Sequence, residues 1–154
     1  MKHVALIKWV IEIVSSLLII LFIYTAINKI VDVETFRVSL RQSPILGKFA
    51  LPISYAVPLV EIVIVFLLCF SATRKIGLLS SLLLILLFTI YIAYMISTTS
   101  NLPCNCGGVI KLLSWQQHLI LNIVLLIFSA IAWILSKKSN NVLIAINRHR
   151  RTPA

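Results

Sequence analysis

Two cysteines, Cys104 and Cys106, stand one residue apart in the stretch LPCNCGGVIKLLSW (102–115), and two glycines, Gly107 and Gly108, follow directly. A disulfide across so small a ring removes little entropy from the unfolded chain, so its value as a staple is low. A tight ring is also strained, which makes the bond easier to reduce and exchange. Pro103 fixes the entry to the segment, while Asn105 and the glycines permit unusual backbone angles and close approach by a partner. The pattern points to an exchangeable dithiol. A structural or unpaired role for the thiols stays open, and so does a two-thiolate copper(I) site. A closed zinc site needs four ligands, and only His118 and Asn122 stand near enough in sequence to supplement the thiols, so no metal site is assigned. The third cysteine, Cys69, lies 18 residues beyond Leu51, or roughly 27 Å along a helix. It cannot reach the pair and is expected to be a small buried hydrophobe.

Other polar residues accompany the thiols. Trp115, His118 and Asn122 are spaced three and four apart, which places them on one helical face. Trp115 suits a membrane interface. His118 is a candidate for moving a proton to or from a thiolate, or for holding the loop; it also fits as a plain interfacial residue. Glu61 falls three residues after Pro58 in an apolar run. A carboxylate there is costly and must face the interior of a bundle. It is a second candidate for proton handling, with a structural hydrogen bond to a Ser, Thr or Tyr as the alternative. No basic residue is expected at its depth. Glu12 is expected to pair with Lys8, one helical turn away.

The elements that position these groups are apolar. The 154-residue chain is 60% hydrophobic and only 12% charged, against about 25% charged in soluble domains. Four runs, about 9–28, 49–72, 76–98 and 118–136, reach the roughly 20 residues needed to span a bilayer. Backbone groups in lipid must be satisfied within their own segment, so all four are expected to be helices. The first run is too long for a signal-peptide core, lacks a small-residue cleavage site, and is read as a retained helix. The fold class is therefore an all-α membrane protein, a four-transmembrane-helix bundle. Between the first two spans, Phe36 and Leu40 are four apart, as are Arg37 and Arg41, which predicts a short amphipathic helix on the outer face, ended by Pro44. It is read as a connector, or as a lid over a lateral site.

The net charge is +10. Its basic residues lie between and after the apolar runs, which excludes a nucleic-acid binder and points to headgroups and orientation. Nine lysines and arginines (Lys2, Lys8, Arg74, Lys75, Lys137, Lys138, Arg148, Arg150, Arg151) fall on the side of the termini and five (Lys29, Arg37, Arg41, Lys48, Lys111) on the other. That asymmetry predicts cytoplasmic termini, with Cys104 and Cys106 outside, in a compartment where disulfides persist. Residues 1–136 are expected to form the membrane domain and 137–154 a basic cytoplasmic tail, either interfacial or disordered.

The four spans, YTAINKIVD leaving the first, PLVE in the second, and PCNCGGV with W and H…N entering the fourth resemble the MauE-type family of DoxX-related membrane proteins. The resemblance covers about 9–136. It implies a four-helix bundle in a bacterial inner membrane that helps to form or transfer disulfides in exported proteins, beside a thioredoxin-like or other exported thiol protein. The redox residues would be Cys104 and Cys106. The family is linked to methylamine utilisation, although the name is not read as the substrate. A looser likeness to vitamin K epoxide reductase and DsbB implies a quinone as cofactor. Those proteins carry C-x-x-C and a second, shuttle pair; this chain has C-x-C and no second pair, so a shuttle would come from a partner, or the C-x-C would meet the quinone directly. The expected function is thus a thiol–disulfide redox protein of the inner membrane. The alternative is a non-catalytic subunit or assembly factor of a larger membrane complex.

Overall fold

The computed structural model describes residues 2–43, 45–98 and 115–151. Five α-helices follow in order: α1 (Lys2–Val31), α2 (Val33–Arg41), α3 (Ala50–Cys69), α4 (Arg74–Thr98) and α5 (Trp115–Arg151), with a 3₁₀ turn, Gly47–Phe49, leading into α3. Four of them are long and apolar enough to cross a membrane. The chain is an all-α, four-span membrane bundle, as its apolar runs predict.

The four long helices form a ring. α1 packs on α3, α3 on α4, α4 on α5 and α5 on α1, while α1 and α4 touch only slightly across the diagonal. The apolar centre is built from Ile11, Val14, Leu18 and Phe22 of α1, Ile64, Val65 and Leu68 of α3, Leu78 and Ile85 of α4, and Ala132 of α5. The α1 residues step by three and four, the stripe that brings one helical face inward. The opposite faces carry exposed Leu, Ile, Val and Phe. In water such a surface would drive aggregation; in a bilayer it is the lipid contact. Small buried residues, among them Ser15, Ser54, Ser81 and Ser129, let the helices approach.

The α3–α4 hairpin shows how tightly. The Thr73 hydroxyl donates to the Leu67 carbonyl at 2.9 Å, and Arg74 Nε donates to the Leu68 carbonyl at 3.4 Å. Carbonyls that the helix end would leave orphaned are thereby satisfied. A Cβ at Gly77 would stand 3.0 Å from the Leu67 carbonyl carbon and from the Leu68 nitrogen. Glycine at this point lets two backbones meet.

Several boundaries differ from the sequence reading. α1 runs past Asn28 to Val31, so Lys29 belongs to the helix and not to an outer loop. α5 runs without a break past Ser136 to Arg151, so the backbone of the tail is helical as far as Arg151. The short helix between the first two spans is present as α2, with Leu40 buried. It packs mainly against α3. Cys69 is exposed, contrary to expectation. It is the last residue of α3 and follows buried Leu68 by one position, which turns it toward the outside of the ring.

Candidate functional site: a buried lysine–glutamate pair

α1 and α4 run in the same direction, because their N-terminal parts meet through Arg74 and Glu12 and their C-terminal parts through Lys29 and Phe88. The end of the bundle where α1 passes into α2 is therefore also the end where α4 finishes and α5 begins. Residues 99–114 join those two helices, and they include Cys104 and Cys106. Both cysteines, with Pro103, Asn105, Gly107 and Gly108, lie outside the described residues, as does Pro44.

Within the described residues, the main concentration of polar chemistry is in the interior. Lys29 Nζ lies 2.5 Å from Glu61 Oε1. Glu61 is 1% exposed and Lys29 8%. Two aromatic rings flank the ammonium: the Phe36 centroid of α2 at 5.8 Å and the Phe88 centroid of α4 at 5.5 Å. One cation thus touches three helices besides its own. A desolvated cation over an aromatic face gains about 2 kcal/mol. The pair itself is held by need: removing one partner of a buried ion pair strands the other charge, at about 3–5 kcal/mol.

The local sequence explains both positions. Leu18, Phe22, Ala26 and Lys29 continue the inward stripe of α1 in steps of four, four and three. Ser54, Pro58, Glu61 and Val65 form the matching buried strip of α3. Here the expectation that no basic residue reaches Glu61 is corrected. The apolar run stops at Asn28 and leaves Lys29 in an outer loop, yet Ile30 and Val31 follow it and carry the helix to Val31. Its four-carbon stem lies along apolar surface while the head reaches the carboxylate. The inward stripe, extended by one step, was the signal that could have found it.

The second carboxylate oxygen, Glu61 Oε2, is buried without a hydrogen-bond partner among the described residues. Thr25, one turn before Lys29, is the neighbouring hydroxyl; it donates to the Phe22 carbonyl at 3.2 Å and adds to the polar surroundings of the carboxylate. The Ser54 hydroxyl, on the Glu61 strip, donates to the Leu51 carbonyl at 2.7 Å.

A second ion pair ties α1 to α4. Arg74 Nη1 donates to Glu12 Oε1 at 2.7 Å, with side chains 23% and 59% exposed. Glu12 was expected to meet Lys8 on its own helix; Arg74 reaches it from the start of α4 instead. On α2, Arg37 bridges to Glu34 at the surface.

His118 lies in the first turn of α5 and is half-buried, as is Asn122 one turn on. The two share a helical face, as their spacing predicts. The structure thus brings Glu61 together with a lysine that the sequence reading had placed elsewhere.

Neither the comparison with curated proteins nor that with solved structures gave a match. The family model described as Methylamine utilisation protein MauE matches residues 7–135, a stretch that contains Lys29, Glu61, Cys104, Cys106 and His118. Four apolar helices in a ring and a match over most of the chain lead to one assignment: this multi-pass membrane protein belongs to the MauE family.

Proposed function

We propose that the protein is a thiol–disulfide redox protein of a bacterial inner membrane, in which Cys104 and Cys106 exchange disulfides with an exported thiol protein. The observation that carries this reading is the C-x-C spacing in the connection from α4 to α5, within the stretch matched to MauE. The nine-to-five asymmetry of lysines and arginines supports cytoplasmic termini and an outward Cys104–Cys106 segment. Lys29 now counts with the bundle interior, which leaves four basic residues on the outer side and sharpens the bias.

A thiolate of the exported protein attacks one sulfur of the Cys104–Cys106 disulfide and forms a mixed disulfide. A second thiolate of that protein displaces the remaining Cys sulfur. The exported dithiol loses two electrons and two protons and becomes a disulfide, while Cys104 and Cys106 become thiols. They are reoxidised by the disulfide of a thioredoxin-like partner, or by a quinone, which takes up the same two electrons and two protons. His118 and Glu61 are the proposed proton-handling residues.

A second reading has its own support. The Lys29–Glu61 pair is buried and ties α1 to α2, α3 and α4, which suits a scaffold of a larger membrane complex. A thiol-trapping gel on Cys104→Ser and Cys106→Ser separates the two. Exchange leaves a single-cysteine variant trapped as a mixed disulfide with its partner. No trapped species, with function intact in both variants, favours the scaffold.

A further inference from the structure

We propose that the Lys29–Glu61 pair is a charge latch that seats α2 on the bundle, and that neutralising Glu61 releases it. The geometry is specific. Lys29 is two residues from the end of α1. Its ammonium is held inward by Glu61 and lies over the ring of Phe36, one turn into α2. The joint between α1 and α2 is Asp32, whose backbone (φ −115°, ψ 47°) is not helical. Helical hydrogen bonds continue on both sides of it, Asp32 N–H to the Asn28 carbonyl at 3.0 Å and Phe36 N–H to the Asp32 carbonyl at 3.1 Å. A nine-residue helix with one non-helical residue at its root is hinged, and its seat is what fixes its angle. That seat comprises buried Ser39 and Leu40, the half-buried Val33, Thr35 and Arg37, and Phe36 on the ammonium.

Charge decides whether the ammonium stays. With Glu61 ionised, Lys29 has a counter-ion and two rings. With Glu61 neutral, the ammonium keeps only the rings, inside a low-dielectric bundle. A lysine so near a helix end then snorkels toward the headgroups, because hydration exceeds what two phenyl faces return. Phe36 loses its cation, and α2 loses that part of its seat. Among the described residues, the pair is faced by Thr25 from α1, Phe36 from α2 and Phe88 from α4. The charges carried by α2 near Phe36, Glu34 and Arg37, bind each other. A proton on Glu61 is the natural trigger. The latch does not depend on the redox reading, since it needs no thiol.

Hydrogen–deuterium exchange of the full-length protein in phosphatidylcholine–phosphatidylglycerol vesicles tests it. In Glu61→Gln the amides of 33–41 should exchange about thirtyfold faster, the scale of one lost desolvated cation–π contact. Amides of the α3 core, 61–68, should stay protected. Phe36→Leu keeps an apolar side chain but removes the ring, and should loosen α2 in the same selective way. It also serves if Glu61→Gln does not fold. Unchanged α2 exchange in either variant, or equal loss of protection in α2 and α3, overturns the latch.

Discussion

Two ion pairs that reach across the bundle among the described residues use the same chemistry in different surroundings. Arg74–Glu12 joins α4 to α1 with more than half of the carboxylate side chain exposed, and Lys29–Glu61 joins α1 to α3 with the carboxylate sealed. An exposed pair adds about 0.2–1 kcal/mol and is screened by salt. A buried pair cannot be half removed without stranding a charge. The first marks where a helix leaves the apolar layer. The second gives the bundle an internal polar centre, around which α2, α3 and α4 are arranged.

The contrast can be broken by substitution. Lys29→Met, which leaves Glu61 without its partner, should cost about 3–5 kcal/mol in reversible unfolding from mixed micelles. The double variant Lys29→Met/Glu61→Leu should recover most of that loss, because an apolar replacement of the whole pair is often neutral. If the double variant is as unstable as the single, the pair is not a unit. Gly77→Val should cost about 1–3 kcal/mol by forcing α3 and α4 apart at backbone contact. Full stability in Gly77→Val would mean the hairpin is looser than its 3.0 Å approach implies. Glu12→Gln should cost less than about 1 kcal/mol, with the difference shrinking further in high salt. A loss as large as that of Lys29→Met would erase the distinction between the two pairs.

Orientation is a separate check. A membrane-impermeant maleimide on intact spheroplasts should label reduced Cys104 or Cys106 and spare Cys69. Cys69 is exposed on the bundle surface at the end of α3, so its protection would come from the inner side or the lipid and not from burial inside the bundle. Labelling of Cys69 in intact spheroplasts reverses the topology.

The spans were legible because length and apolarity alone decide them, and α2 was legible because Phe36 and Leu40 repeat at helical spacing. Their junctions were not. The helical step from Ala26 points Lys29 inward, but its partner Glu61 lies 32 residues away and no local pattern names that pairing. The same holds for Glu12, whose partner arrives from α4 although Lys8 stands at the ideal spacing on its own helix. Cys69 was misjudged because a cysteine in an apolar helix can face either the ring or the lipid, and composition does not distinguish the two. Glu61 was found correctly as a buried carboxylate; its counter-ion was not.

The claim that most needs testing is that Cys104 and Cys106 form an exchangeable pair. The direct measurement is a redox titration of the full-length protein in defined glutathione buffers, read as a mass shift after alkylation. The account predicts a reversible two-electron transition at a potential above about −300 mV, the level below which structural disulfides typically lie. A pair that stays oxidised in strongly reducing buffer, or one that never oxidises, would contradict it.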